Sequence, residues 1–284
     1  MSPPVCGMVD MRALGAFLGL AAMAAAVAAP SGAGATPPAA GDISAREVTR
    51  ALFAAVPGSP ADFSGRALRY LDLSTVDFKG ARLAAADLYG ADLTGARLGG
   101  TILTGARLDR ANIARADFSG ADLSGATLLR PNAFLTPDFD VRDAPRFDGA
   151  RLRGIRVKAR LDGSDFRGAD LTRADFSPLE KRPGERDAAT DSRNGLVACN
   201  FSGAVLREAD FTLAILRHAR FAGSDLEGAD LSETDLSHAD FTGANLVGAN
   251  FAGADLDGAR LAGAIGLDRA RGLERAVNLD KAKR

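Results

Sequence analysis

Histidine is the scarcest side chain here that could do chemistry, because the chain has only His218 and His238 among its 284 residues. They are twenty residues apart. Two imidazoles can contribute to a metal site, but such a site needs more than two protein ligands, and no third ligand of matching type accompanies them. The sequence therefore predicts two solvent-exposed histidines and no metal centre.

The two cysteines, Cys6 and Cys199, predict neither a disulfide nor a nucleophile. Cys6 precedes an apolar N-terminal stretch, and cleavage of that stretch would leave Cys199 alone, without an intramolecular partner. Cys199 lies two residues before Phe201, a place that alanine takes in most of the neighbouring sequence. We expect a small, buried and inert thiol there.

Carboxylates are plentiful, but the sequence contains no convergent catalytic set. There is no Ser-His-Asp order in a matching context and no glycine loop of the phosphate-binding type. The formal net charge is −1, so overall charge would attract neither nucleic acid nor an anionic membrane. The sequence predicts a protein that is not an enzyme, with no catalytic, cofactor-binding or metal-binding residues and no cofactor.

A five-residue repeat must position these side chains. From Ala61 the chain reads ADFSG, RALRY, LDLST, VDFKG, ARLAA, ADLYG and continues in this way. A large apolar residue, here called the centre, recurs every five residues through Phe63, Leu68, Leu73 and onward to Leu128. The pattern resumes from Phe147, slips by one residue before Leu161, and runs without a break from Phe201 to Leu261.

A period of five fits neither the 3.6 of an α-helix nor the 2 of a long strand, so the unit must be a short extended piece followed by a corner. The centre and the small residue two positions before it then point inward, and the residue between them points outward. The two corner residues follow, and the second is usually glycine, which accepts the positive φ of a type II turn. Four corners would close a coil of twenty residues, stacked on the next at about 4.8 Å.

Tandem A(D/N)LxG units resemble the pentapeptide-repeat family. The resemblance implies an all-β fold, a right-handed quadrilateral β-helix, over residues 61–263. Two interruptions are predicted to form loops, at about 129–145 and 177–198. Phe134 and Phe139 in the first loop keep a five-residue spacing and suggest degenerate repeats. Loops on a rigid scaffold commonly carry partner contacts, but tolerated insertions without function are the alternative.

Both ends of a solenoid need caps, because their edges are otherwise unpaired. Within residues 36–60, which we interpret as linker and N-terminal cap, Ser44 and Glu47 form a capping-box pattern that predicts a helix through about Ala55. Leu52 and Phe53 are expected to cover the first coil. The first coil is also expected to present larger inner residues beneath the cap, namely Arg66, Leu71 and Val76.

The C-terminal segment 264–284 is predicted to be a second cap helix with a basic tail. Leu267, Ala270, Leu273 and Val277 would share one helical face after Asp268, a suitable N-cap. The tail carries Lys281, Lys283 and Arg284.

A twenty-residue coil also predicts columns of side chains. His218 should stack on His238 at a corner, and Phe201, Phe221 and Phe241 should stack inside. Outward charges alternate in two columns, which we expect on different walls, formed by Asp77, Arg97 and Asp117, and by Arg220, Asp240 and Arg260. Like charges should neighbour each other in three pairs, Asp72 with Asp92, Asp210 with Asp230, and Asp235 with Asp255.

Acidic strips are similar to those of DNA-mimicking members of the family, which protect topoisomerases. That resemblance implies, as an alternative function, a DNA mimic that inhibits or protects DNA gyrase. Here arginines interrupt most columns and the net charge is close to zero. The sequence favours a non-enzymatic protein-binding or scaffolding module with an unidentified protein partner; nucleic acid is not expected, and a homodimer is compatible with the pattern.

The first 35 residues have the features of an export signal. Arg12 precedes an apolar stretch from Ala13 to Ala29, and Ala33-Gly34-Ala35 offers a cleavage site with small residues. An uncleaved segment would instead anchor the protein in a membrane. We therefore expect a bacterial envelope protein, periplasmic or secreted.

N-terminal sequencing of the mature protein from fractionated cells tests this placement. We expect a new N-terminus near Thr36 in the periplasmic or extracellular fraction, because signal peptidase cuts after small residues. An intact Met1 in the cytosol would contradict the export signal.

Overall fold

The computed structural model describes residues 43–56, 58–135, 140–178 and 193–284. Of the two units into which the chain divides, Met1–Pro37 and Pro38–Arg284, only the second contains described residues. The export signal expected at residues 1–35, and Phe139, lie outside them. No helix in the described ranges is long and apolar enough to cross a membrane.

Within these ranges, regular elements are few and short. Helix α1 spans Ala45–Ala54, and two three-residue strands, β1 (Thr127–Leu129) and β2 (Arg156–Lys158), pair in parallel. Short 3-10 helices occupy Val141–Asp143, Leu267–Arg269, Leu273–Arg275 and Leu279–Lys281. Most of the remaining chain is a succession of single bridging residues separated by turns.

Parallel bridges between residues twenty apart, one in every five residues, confirm the stacked coil. Each coil therefore has four walls, which we number I to IV in chain order. Wall I carries the bridging residues Asp62, Arg82, Ile102, Asp122, Arg151, Asp170, Val205, Asp225, Asn245 and Ile265. Wall II carries Ala67, Asp87, Arg107, Thr127, Arg156, Asp175, Asp210, Asp230, Asn250 and Arg271.

Wall III carries Asp72, Asp92, Asn112 and Asn132, and then Arg160, Gly195, Ile215, Asp235, Asp255 and Val277. Wall IV carries Asp77, Arg97, Asp117, Arg146, Asp165, Asn200, Arg220, Asp240, Arg260 and Lys283. The edges between walls are the two-residue corners.

Hydrogen bonding explains why the repeat has its particular residues. In the unit Ala91 to Gly95, four of the five N–H groups donate to backbone carbonyls at 2.7 to 3.0 Å. Ala91 donates across the preceding turn, Asp92 to the preceding coil, and Leu93 and Gly95 to the following coil. The fifth N–H, of Thr94 at the first corner position, donates to Oδ1 of Asp92 at 2.9 Å. The outward aspartate is thus the acceptor that completes the corner.

The interior is filled by the predicted centres and small residues, which are almost entirely buried. Phenylalanines stack in wall IV over more coils than the sequence indicated. Neighbouring rings lie 4.9 to 5.1 Å apart between centroids and within 9° of parallel. The ladder consists of Phe118, Phe147, Phe166, Phe201, Phe221 and Phe241. It passes both loops and the one-residue slip, so the core is continuous across them.

The two loops are shorter than predicted, because the coil runs further into each. Asn132 still bridges to Asn112, which places Ala133 at the centre position and Phe134 at the first corner, so Phe134 is not a repeat centre. Gly195 bridges to Ile215, and Leu196 is a fully buried centre. The loops therefore extend from about residue 134 to 145 and from about 177 to 193.

A single buried side chain repairs the slip and the second loop together. Asn194 is 1% exposed and occupies a small inner position. Its Oδ1 accepts the N–H of Ala159 at 2.6 Å, and its Nδ2 donates to the carbonyls of Val157, at 3.2 Å, and Phe176. In the regular repeat, the carbonyl of each centre accepts the N–H of the residue three positions later. The one-residue slip and the second loop remove these turn bonds, and Asn194 replaces them.

The N-terminal cap forms as predicted, with one exception. The capping box of Ser44 and Glu47 is present, and Val48 and Leu52 are buried on the core. Phe53 is 86% exposed, because it lies on the opposite side of α1 from that contact, so it does not cover the first coil. Leu71 and Val76 pack against the core, whereas Arg66 is exposed.

The predicted C-terminal cap helix is wrong. Residues 264–284 instead form one more coil with six residues per side, in which Ile265, Arg271, Val277 and Lys283 bridge to the preceding coil. Each side contains one of the three 3-10 turns. Leucines and alanines six apart mimic a helical face, but Gly266 and Gly272 adopt φ values of 74° and 73° and end any helix. A Cβ on Gly272 would approach the amide nitrogen of Ala252 to 2.6 Å.

Replacing Asn194 with aspartate tests the repair. Asn194→Asp keeps the shape but removes both donors and places a carboxylate against two carbonyls, so we expect a loss of about 2 kcal/mol or more in the free energy of unfolding. Asn200→Asp is the matched control, because aspartate is the usual residue at that outward position. Urea denaturation measures both. Equal stability of the two variants would contradict the assignment.

Candidate partner-binding surface

The two alternating charge columns predicted from the sequence are parts of one column. Asp77, Arg97 and Asp117 lie on wall IV, and so do Arg220 and the residues above it. Separate walls were expected because the loops and the slip hid the register; Arg146 and Asp165 connect the two parts. Arg97 Nε lies 3.8 Å from Asp77 Oδ2. Wall IV is thus nearly neutral over much of its height.

The three like-charge pairs are bridging neighbours as predicted, on walls II and III. Their carboxylates act as corner acceptors. The hydroxyl and backbone N–H of Ser74 lower the pKa of Asp72, and Asn250 Nδ2 donates to Asp230 Oδ1 at 3.1 Å. Each of these carboxylates is therefore engaged by the corner of its own repeat.

The histidines and the cysteine also lie where the sequence places them. The rings of His218 and His238 stack with centroids 5.1 Å apart and 9° between planes. Cys199 is fully buried, its Sγ donates to the carbonyl of Leu161 at 3.1 Å, and burial raises the pKa of its thiol. No group of three or more His, Cys, Asp or Glu side chains within the described ranges is arranged to hold a metal ion.

Residues at the second corner position have positive φ, which favours glycine, yet some corners carry other residues. On the edge between walls IV and I the second corner is glycine in coil after coil, from Gly80 to Gly263. Most described residues other than glycine with positive φ lie on the two edges that border wall III. They are Tyr70, Arg110, Arg130, Leu213 and Glu233 on one edge, and Thr75, Arg115, Ala198, His218, His238 and Asn278 on the other.

Both loops leave the coil at these same two edges. The first loop follows Ala133 of wall III and returns at Arg146 of wall IV. The second follows Phe176 of wall II and returns at Gly195 of wall III. Their attachment points lie within about two coil spacings, or roughly 10 Å along the axis. Wall III is therefore bordered by a loop on each side.

The first loop is fixed to the coil by Asp143. This side chain is 3% exposed, and its Oδ1 accepts from Arg115 Nε at 2.8 Å. Its Oδ2 accepts the N–H of Leu135 at 3.2 Å, and its carbonyl accepts the N–H of Arg115 at 2.6 Å. In the regular repeat, the N–H of the second corner residue, here Arg115, donates to a carbonyl of the next coil. Asp143 thus takes the place of a coil residue and closes the base of the loop.

An aromatic pair on the edge between walls II and III was missed by the sequence reasoning. Tyr70 and Tyr89 are the only tyrosines in the chain, and their rings meet edge to face at 5.5 Å. The guanidinium of Arg107 lies 4.5 Å from the Tyr89 ring centroid. Tyr70 is 71% exposed, and its ring lies over Gly90, where a Cβ would come within 2.7 Å. The spacing of nineteen residues between the two tyrosines, one short of a full coil, was the sequence signal that could have predicted their contact.

Asp143→Ala tests the closure of the first loop. We expect faster hydrogen exchange at Leu135 and Val141–Asp143, because both side-chain acceptors are lost, with little change in the buried centres. Asp140→Ala is the control in the same loop, since Asp140 bonds only within it and Arg142 lowers its pKa to about 2. An equal effect of the two variants on exchange at Leu135 would show that Asp143 is not the closure.

Comparison with known proteins agrees with this architecture. A family model described as pentapeptide repeats (8 copies) matches residues 61–95, 91–128 and 157–177, and one described as a pentapeptide repeat region matches 195–264. No curated protein matches the sequence.

Similar solved structures include a trypsin-treated form of QnrB1, a plasmid-mediated fluoroquinolone resistance protein, at 21% identity over 72% of this chain and 89% of that one, with a TM-score of 0.30. A pentapeptide repeat protein from the Arabidopsis thaliana thylakoid lumen is 30% identical over 43% of this chain and 66% of that one, with a TM-score of 0.20. Rfr23, a pentapeptide repeat protein from the cyanobacterium Cyanothece 51142, is 27% identical over 44% of this chain and 90% of that one, with a TM-score of 0.21. Since the two family models together match more than half of its residues, the chain belongs to the pentapeptide-repeat family.

Proposed function

We propose that this protein is a non-enzymatic protein-binding or scaffolding module of the bacterial envelope, and that wall III with its two bordering edges contacts the partner. In this proposal the solenoid is a right-handed quadrilateral β-helix that serves as a rigid support. The export signal of residues 1–35 supports the envelope placement, periplasmic or secreted.

The observation that carries the proposal is the concentration of irregular features around wall III. Both loops attach at its edges, as do Tyr70 and Tyr89 and most of the corners where another residue replaces glycine. A non-glycine residue in the left-handed region costs on the order of 1 kcal/mol. Every second-corner residue on the edge between walls IV and I is glycine, from Gly80 to Gly263, so the cost is avoidable at that position. Side chains retained despite it are best explained by what they contact outside the coil.

The chemistry of this surface suits a protein partner. Tyrosine and arginine are enriched where protein interfaces gain most of their energy, and Tyr70, Tyr89 and Arg107 form such a group. Ile215 adds an apolar outward residue on wall III itself. Loops held at their base, as Asp143 holds the first one, lose less entropy on binding than free loops do.

A DNA mimic that acts on gyrase is the competing function, and the acidic pairs on walls II and III are its support. The alternating signs of wall IV argue against it, because a mimic of duplex DNA should present negative charge along its length. A homodimer is also compatible with the proposal, with a second copy as the partner protein.

A photo-crosslinking amino acid at position 215 tests the surface in the organism that makes the protein. We expect a discrete crosslinked partner from position 215 on wall III and none from position 205 on wall I, since the two positions lie in one coil and carry similar apolar outward residues. With the crosslinking amino acid moved to position 70, on the edge between walls II and III, Ile215→Arg should abolish capture of the partner. Val205→Arg should not. Equal crosslinking from both walls would overturn the assignment to wall III.

Deleting the loops separates their contribution from that of the wall. Removing residues 136–144 or 179–193 restores the five-residue spacing of the centres, from Ala133 to Phe147 and from Phe176 to Leu196, so the coil should remain folded. We expect weaker partner binding in each deletion. Salt-sensitive binding to purified gyrase that survives both deletions would instead support the DNA mimic.

A further inference from the structure

A cleft of about 370 Å³ lies at the C-terminal end of wall IV, away from the surface just proposed except at one edge. Its lining is polar and predominantly basic. The lining residues are His218, Arg220, His238, Asp240, Gly258, Arg260 and Lys283. Neither the alternating column nor the partner surface explains why cations accumulate here.

The cations of this cleft are not neutralised by ion pairs. Elsewhere on the coil, arginines hold carboxylates closely, for example Arg153 with Asp170 at 2.5 Å. In the part of the chain that the structure describes, no carboxylate oxygen lies within 4.0 Å of the charged nitrogens of Arg220, Arg260 or Lys283. Asp240 attracts both arginines only at longer range. The pKa of Asp240 is lowered by the hydrogen bonds that Thr242 donates, and further by the positive charges of Arg260 and Arg220. The donors therefore remain available to a ligand.

The spacing of these donors is set by the coil. Arg220, Asp240 and Arg260 bridge in sequence, and Lys283 bridges to Arg260. Consecutive bridging residues lie about 4.8 Å apart, so the three cations span roughly 15 Å in one line. With one carboxylate among them the cleft has a local charge of about +2, in a chain whose net charge is −1. A line in which three cationic donors outnumber one carboxylate suits an extended anion with repeated oxyanion groups.

The stacked histidines form the side of the cleft. His238 lies over Gly258, where a Cβ would meet Nδ1 at 2.5 Å, so this glycine makes room for the ring. The neighbouring charged groups on that edge are already paired, Arg217 with Asp235 and Lys281 with Asp257, each at 3.6 Å. Both imidazoles line the cleft, and among the described residues neither forms an ion pair with a carboxylate.

We infer that this cleft binds an extended phosphate-class polyanion, with Arg220, Arg260 and Lys283 as donors and with the stacked rings of His218 and His238 forming its side. Asp240 separates the two arginines and keeps their guanidinium groups from one another. The inference does not depend on the function proposed for wall III.

Titration calorimetry of the full chain with sodium tripolyphosphate tests the inference. We expect saturable binding, and a loss of about tenfold in affinity in Arg260→Gln, as for one charge-assisted hydrogen bond. Arg97→Gln on the same wall is the matched control and should bind like the unchanged protein.

The source of the phosphate groups is separated by a second arm. Sedimentation with phosphatidylcholine vesicles that contain phosphatidic acid measures affinity for a phosphate-bearing membrane surface. Binding to tripolyphosphate alone, or to both probes with the same loss in Arg260→Gln, supports the inference. Three results would overturn it: binding to the vesicles but not to tripolyphosphate, binding to neither probe, or equal losses of affinity in Arg260→Gln and Arg97→Gln.

Discussion

The structure depends on the single N–H in each repeat that has no backbone acceptor. Four of the five amides bond to the adjacent turn or to neighbouring coils, and the fifth, at the first corner position, faces outward. An aspartate or asparagine one residue before the centre reaches this amide, as Asp72 does for Ser74 and Asn200 for Ser202. The same side chains line the walls. Much of the surface charge of the protein is therefore a by-product of satisfying its own backbone.

This origin of the charge changes how the acidic strips are interpreted. Asp210 and Asp230 are adjacent because each accepts a corner amide in its own coil. Acidic columns alone are thus weak evidence for a partner that recognises negative charge. Departures from the pattern are more informative, since they give up a corner acceptor or a glycine. Arg220, Arg260, Tyr70 and His238 are departures of this kind.

Most of the coil could be predicted from sequence, because a side chain's inward or outward direction follows directly from its place in a five-residue unit. Register across the irregular segments could not be predicted, since Ala133 is too small to be recognised as a centre and Asn194 is a polar residue in an inner position. Placing His218 on the same edge as Arg115 requires that register. The helix predicted at the C-terminus was wrong for a related reason, because apolar residues repeating every six positions imitate the three-residue spacing of a helical face.

The continuous ladder from Phe118 to Phe241 also bears on how the chain folds. Each ring contacts the next coil's ring, so structure can be gained one coil at a time, with little contact between distant parts of the sequence. Closing the longer segment from Arg160 to Gly195 costs only about 0.5 kcal/mol more than closing a regular twenty-residue coil. Winding can therefore proceed past both loops without a major barrier. Helix α1 is the first described element to emerge during synthesis, and it would give the growing coil a covered end from which to extend.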